Sequence, residues 1–341
     1  VTGDKTLAFE KTETETLGAD TATKSVEVPK RHKELIQFLN TVYSLKPEGL
    51  YMSELNWKYL IRSAVRGKNI MLIGPSGCGK TVAAQSVQES LGRPSFYFNL
   101  GATQDPRATL IGNTHFKDKE TLFAESLFVR AIRTPNAVIL LDELTRAHPD
   151  AWNILMTVLD YKQRYLRLDE KENCETVKVA TGVTFIATAN IGNEYTATRV
   201  LDRALQDRFT IIEVDTLDAE QEAGLLAYIY PDVDKKLLEK VAQLAHESRV
   251  ELNSEQPPIS TMISTRMSVE MAGLLYDGFS FIDAASVAVF PFFSVEGGNS
   301  SERAHIMRWA QKYGVDDDGA GASTSNKDEL FTPQDINEAF N

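Results

Sequence analysis

The stretch Gly74-Pro75-Ser76-Gly77-Cys78-Gly79-Lys80-Thr81 constrains this chain more than any other. It follows the apolar run NIMLI and precedes TVAAQSVQESL, which has a helical pattern. Glycines here let the backbone curl so that successive N–H groups face inward, at the positive end of the helix that follows. The pattern G-x-x-x-x-G-K-[ST] between a strand and a helix is that of a loop that cradles phosphate. Lys80 is then expected to reach the β- and γ-phosphates of a nucleotide, and the Thr81 hydroxyl to ligate Mg²⁺. The alternative is a glycine-rich turn that binds nothing, and the strand–loop–helix setting argues against it.

A strand feeding a helix in this way calls for a parallel sheet. The runs NIMLIG, SFYFNL, AVILLD, TFIATAN and TIIEV are short, β-branched or aromatic, and alternate with helical patterns up to about Asp215. Such runs suit a sheet buried on both faces. The expected fold class is α/β, a parallel sheet sandwiched by helices and followed by a small helical domain. Residues 1–30, rich in Thr, Lys and Glu, read as a flexible arm. Residues 31–216 form the expected large nucleotide-binding domain, opened by the helical stretches HKELIQFLNTVYSL and ELNWKYLIRSAVR. Residues 217–313 are mostly helical in pattern. Residues 314–341 read as an acidic Gly/Ser linker and a short helix begun by Thr332-Pro333.

Composition narrows the function classes. With 341 residues, 43% hydrophobic and 25% charged, the chain can bury a real core. A net charge of -12 argues against a protein that coats a phosphate backbone, although a local basic patch stays open. Cys78 and Cys174 form neither a disulfide framework nor a metal-ligand spacing, so a reducing, cytoplasmic setting is expected. His32, His115, His148, His246 and His305 are dispersed, so no metal beyond nucleotide-bound Mg²⁺ is expected. No run approaches the roughly 18 apolar residues of a membrane span, and no signal-peptide start is present. The chain opens on Val1 rather than Met, so a start further upstream is expected.

Two more strands end in polar groups. AVILLD runs into Asp142-Glu143: Asp142 can hold the Mg²⁺ shell while Glu143 polarises an attacking water as general base. A solvated strand end is the bland alternative, but a second carboxylate beside a phosphate loop favours hydrolysis by water. TFIATAN ends in Asn190, which can bond a γ-phosphate oxygen or the lytic water if its strand lies beside the one ending at Asp142. A turn-forming Asn is the alternative there. Further on, VLDRALQDRF places Arg203 and Arg208 at an expected helix end, before the strand FTIIEV. Each could simply oppose the helix dipole. In this order of motifs, Arg208 is instead expected to point into a neighbouring subunit's nucleotide as an arginine finger, with Arg203 as an auxiliary contact.

The ordered set GPSGCGKT, AVILLDE, TFIATAN, LDRALQDRF and ISTRMSVE resembles the AAA+ ATPases. The nearest branch holds the MoxR-type chaperones, CbbQ-type activases, CobS-type chelatase subunits, McrB and dynein-related modules. LGATQDPRATLIGNTHF resembles that branch's segment carrying an inserted hairpin, here about residues 112–124. LLDELTRAHPDAWNILMTVLDYKQ resembles its run after the Walker B carboxylates. The resemblance covers roughly residues 65–270 and implies that the helical part is a lid. It further implies that Arg266, in Ser264-Thr265-Arg266, is the sensor-2 arginine touching the γ-phosphate of its own subunit, and it gives Arg146 a less defined place. The residues after Asn190 do not reproduce the McrB loop, so ATP is expected over GTP. Residues 164–178 read as a polar hairpin; in related rings it faces the central pore, making Tyr165 a candidate to grip substrate, with an ordinary solvated hairpin as the equal alternative.

Two functions are compatible with these motifs. The favoured one is a ring-forming ATPase, a hexamer by resemblance, that couples Mg-ATP hydrolysis to remodelling of a protein substrate or adaptor. The other is a nucleotide-dependent assembly or DNA-associated factor in which hydrolysis is incidental. The acidic balance disfavours nucleic acid, and no membrane partner is expected.

Overall fold

The computed structural model describes residues 30–117, 120–190 and 201–314. The expected arm, except Lys30, and the expected linker and last helix, except Gly314, lie outside the described residues, as does the segment just after Asn190.

Helix α1 (Lys30–Thr41) leads to α2 (Glu54–Val65), whose N-terminus is capped by the Ser53 hydroxyl accepting from the Asn56 N–H. Trp57 of α2 is fully buried and donates its indole N–H to the Val42 carbonyl at 2.9 Å, which ties the two lead-in segments together. Then come β1 (Ile70–Gly74), α3 (Lys80–Leu91), β2 (Ser95–Asn99) and α4 (Pro106–Leu110). An antiparallel hairpin follows, β3 (Gly112–Lys117) and β4 (Glu120–Glu125), inserted before α5 (Leu127–Arg133). After β5 (Val138–Asp142) and α6 (Pro149–Leu159), a second hairpin is formed by β6 (Tyr165–Leu168) and β7 (Glu175–Lys178). β8 (Thr184–Asn190), α7 (Arg203–Gln206) and β9 (Thr210–Glu213) complete this part.

The five apolar runs become the five strands of one sheet, in the order β2-β5-β8-β1-β9, and every pairing is parallel. Side chains alternate between its faces. Ile139, Leu141, Phe185 and Ala187 pack with Phe128, Leu155 and Val158 on one side. Ile70, Leu72, Leu140, Ile186 and Ile212 pack with Trp57, Leu60, Ala83 and Val87 on the other. Burial on both faces is why these strands read as continuous apolar runs.

The remaining elements are helices: α8 (Ala219–Ile229), α9 (Lys235–Leu252), α10 (Thr265–Tyr276), α11 (Phe281–Ala288) and α12 (Glu302–Gly314). They enclose a separate core around Leu226, Leu244, Met271, Phe281 and Ile306. A capping box between Asp218 and Gln221 starts α8. The chain is thus an α/β unit followed by a helical region, and none of its described helices is long and apolar enough to cross a membrane.

One expectation is corrected. The helix before β9 spans only Arg203–Gln206, so Arg203 opens it rather than ending it. In a helix of one turn the first and last turns coincide, so the dipole gives Arg203 little to oppose.

Candidate functional site

The strand order decides what meets at the carboxyl edge of the sheet. β8 lies between β5 and β1, and in register Asn190 sits opposite Gly74. The adjacency required for Asn190 to act beside Asp142 is therefore met. Since β1 leads to β2 only by crossing over β8 and β5, the loop after β1 stands at a topological switch point, where open α/β sheets bind ligands.

The phosphate loop enters α3 through Gly79, whose φ of 90° is a left-handed conformation suited to glycine. Lys80 is buried, and its ammonium donates to the carbonyls of Gly74 at 3.0 Å and Pro75 at 2.6 Å. It also lies 3.7 Å from the Cys78 sulfur. Burial lowers the Lys80 pKa, Cys78 and Asp142 oppose that shift, and the charge of Arg266 adds to it. Burial pushes the Cys78 thiol up, with Lys80 pulling it partly back. A desolvated ammonium held mainly by carbonyls would gain from an anionic partner, because charge-assisted bonds are the stronger kind.

Asp142, at the tip of β5, accepts three side-chain hydrogen bonds. The Thr81 hydroxyl donates at 3.2 Å, the Tyr97 hydroxyl at 2.9 Å and the Thr188 hydroxyl at 2.5 Å. Thr188 also accepts the Glu143 backbone N–H at 3.0 Å, so one hydroxyl holds both members of the acidic pair. Burial, then the bond to Asp142, raises the Tyr97 pKa to about 12, so it stays a donor near neutrality. Glu143 has φ 55°, a left-handed conformation that costs a residue with a side chain about 1–3 kcal/mol and clusters at functional sites. Its carboxylate pairs with Arg146 at 3.5 Å and lies over Gly101, where an added Cβ would come within 2.4 Å of it.

These groups line one cleft of about 760 Å³, a size suited to a small-molecule ligand. Ser76 to Thr81, Asp142, Glu143, Thr188 and Asn190 face it from the sheet, and Arg266 from α10. Leu50, Leu225, Tyr228 and Ile229 make its other end apolar. Gly74 and Pro75 stand behind the loop as acceptors for Lys80. Thr188 and Tyr97 are the residues that sequence reasoning missed. Threonine and tyrosine inside strands read as ordinary β-formers, and only the spacing of Thr188 two residues before Asn190 hinted that it faces the same way.

Arg208 and Arg203 are not in this cleft. Arg208 precedes β9, and its carbonyl accepts from the Asn69 amide at 3.0 Å, at the amino edge of the sheet. A five-residue strand, roughly 17 Å long, separates that edge from the phosphate loop. The half-buried guanidinium donates to the carbonyls of Met156 at 3.0 Å and Ala204 at 2.5 Å and reaches Asp160 at 3.5 Å. Arg203 is exposed. Tyr165 is half-buried in the β6–β7 hairpin, paired in register with Lys178.

The comparisons with known proteins agree with this layout. A family model described as the AAA domain of the dynein-related subfamily matches residues 69–209, from the residue before β1 to the residue after Arg208. A Thauera aromatica protein named "Putative chaperone BssE" is 33% identical over 224 residues, which cover 65% of this chain and 74% of that protein. Uncharacterized proteins of Staphylococcus saprophyticus and Staphylococcus haemolyticus are 27% and 28% identical, over 81% and 78% of their lengths and 60% and 61% of this chain.

Proposed function

The chain belongs to the AAA+ ATPase family, in its dynein-related branch, and on that premise we propose that it hydrolyses Mg-ATP in a ring of identical subunits, six by resemblance, to remodel a protein partner. The family is one of ATPase-type hydrolases. The observation that carries the proposal is the split between two edges of the sheet. Lys80, Thr81, Asp142, Glu143, Asn190 and Arg266 serve one cleft, whereas Arg208 stands a strand's length away from it. An arginine so placed cannot serve its own nucleotide, but it suits a neighbour's.

The residues fit Mg-ATP. The loop amides and the Lys80 ammonium suit the phosphates, and the Thr81 hydroxyl and Asp142 carboxylate, 3.2 Å apart, suit one Mg²⁺. Bound Mg-ATP supplies the electrophilic phosphorus with its charge partly neutralised. Glu143 would orient the attacking water and take its proton, Asn190 would hold that water or a γ-phosphate oxygen, and Arg266 would contact the γ-phosphate from α10. Arg208 of an adjacent subunit would neutralise charge that develops on transfer, and Arg203 would support that contact. The apolar end of the cleft accepts the base, with ATP preferred over GTP.

The protein-remodelling part rests on the chaperone name of the Thauera relative and on the family. The two free cysteines fit a reducing compartment, and the cytoplasm is the setting we favour. The test is ATPase turnover per chain, measured across protein concentration, with ATP or GTP and with or without DNA. Turnover should rise as chains assemble, prefer ATP and ignore DNA. Concentration-independent turnover by a monomer would contradict the ring, and stimulation by DNA would favour the DNA-associated alternative.

A further inference from the structure

Arg249 lies in α9, is almost fully buried, and belongs to none of the expected catalytic motifs. One terminal nitrogen donates to the Leu217 carbonyl at 2.8 Å and pairs with Glu222, a carboxylate of α8 with no exposed surface. The other donates to the Ile263 carbonyl at 3.2 Å and reaches the Thr265 hydroxyl at 3.5 Å. Its neighbour Ser248 accepts the Ile263 N–H at 2.9 Å. Two successive residues of α9 therefore hold both backbone groups of Ile263.

The segments tied together here converge on the cleft. Leu217 lines it just before α8 begins, and Thr265 and Arg266 line it from the first turn of α10. Ser264, the cap of α10, sits against the phosphate loop: a Cβ added at Gly77 would come within 3.0 Å of the Ser264 Cβ. One guanidinium thus spans the entry to α8 and the entry to α10. Stability alone explains such a pair poorly. Burying two charges costs desolvation that apolar residues of the same size avoid, and here Arg249 Nε and Glu222 Oε1 are left without partners.

We propose that Arg249, held by Glu222, is a positioning residue that sets Arg266 against the phosphate loop. It touches no nucleotide. The proposal rests on the reading of Arg266 as the residue that contacts the γ-phosphate. Arginine is needed because its planar fork donates in several directions from one rigid group, which a lysine ammonium on a flexible stem does not reproduce.

The test removes the tie without leaving a lone buried charge, using the paired replacement Glu222→Leu with Arg249→Met. Because that pair could perturb folding, Arg249→Lys, which keeps a charge opposite Glu222 but cannot span Leu217 and Ile263, is run beside it. In nucleotide-free protein, hydrogen exchange at Ile263 and the first turn of α10 should quicken in both, while the middle of α9 stays protected. With Mg-ATP, kcat should fall about 10- to 100-fold, the scale of an ångström-level misplacement. The same replacements made on an Arg266→Ala background should lower kcat no further. Unchanged exchange at Ile263, unchanged kcat, or an equal loss on both backgrounds would overturn the proposal. Full activity of Arg266→Ala alone would remove the role of Arg266, and this proposal with it, a result readable without any Arg249 variant.

Discussion

At the scale of single residues, the acidic pair is set by one hydroxyl. Thr188 donates to Asp142 and accepts from the Glu143 N–H, so it fixes both the Asp142 carboxylate, proposed to hold Mg²⁺, and the left-handed turn at Glu143, proposed as the base. Thr188→Val keeps the shape but leaves the Glu143 N–H without its acceptor. Loss of a buried partner costs about 1–3 kcal/mol, so chemical denaturation should register a drop of that order. Turnover should fall by more than binding, because nucleotide contacts from the loop are untouched. Glu143→Gln should bind Mg-ATP with near-normal affinity and hydrolyse it very slowly; equilibrium binding beside a turnover assay checks both halves. Normal turnover would remove Glu143 as the base. Lys80→Ala should abolish nucleotide binding, since the loop loses its cation, and retained micromolar affinity would count against the loop's assignment.

The structural elements differ in how far the sequence announced them. The five strands were legible because burial on both faces leaves an apolar signature that needs no knowledge of partners. The hairpin of β3 and β4 came only with the family resemblance, whereas that of β6 and β7 was legible as a polar stretch before a strand-like run. The brevity of α7 was not, because LDRALQDRF carries enough helix-forming residues to suggest a longer helix, and tertiary packing decided its end. The partners of Arg208 were likewise invisible: Met156 and Asp160 lie about 50 positions away in sequence. So was the linkage between the two hairpins. Arg133 and Lys171 each pair with both Glu125 at the end of β4 and Glu175 at the start of β7, forming a closed ring of four charges. These groups are partly exposed, so the ring should add little to global stability and weaken with salt. Replacing both cations, Arg133→Gln with Lys171→Gln, should leave the melting temperature within a few degrees. It should speed hydrogen exchange in β4 and β7, and in the wild type high salt should have a similar effect. Exchange unchanged by either treatment would mean that the hairpins are held by packing alone.

For the whole molecule, the proposed function depends on how two cores and two sheet edges are arranged. The α/β core and the helical core meet along the cleft, which takes Lys80 and Asp142 from one and Arg266 from the other. Arg208, at the opposite edge, directs three of its five N–H donors to described residues of its own chain, the Met156 and Ala204 carbonyls and the Asp160 carboxylate. The central claim is that an active site is shared between two chains. It is tested most directly by mixing Arg208→Ala and Glu143→Gln, each inactive alone, in equal amounts. In a head-to-tail ring about a quarter of the interfaces then join an intact Glu143 to a neighbour's intact Arg208. Those interfaces should restore ATP hydrolysis in the mixture. No recovery, in rings shown by mass to contain both variants, would mean that Arg208 acts only within its own chain and that the site is not shared.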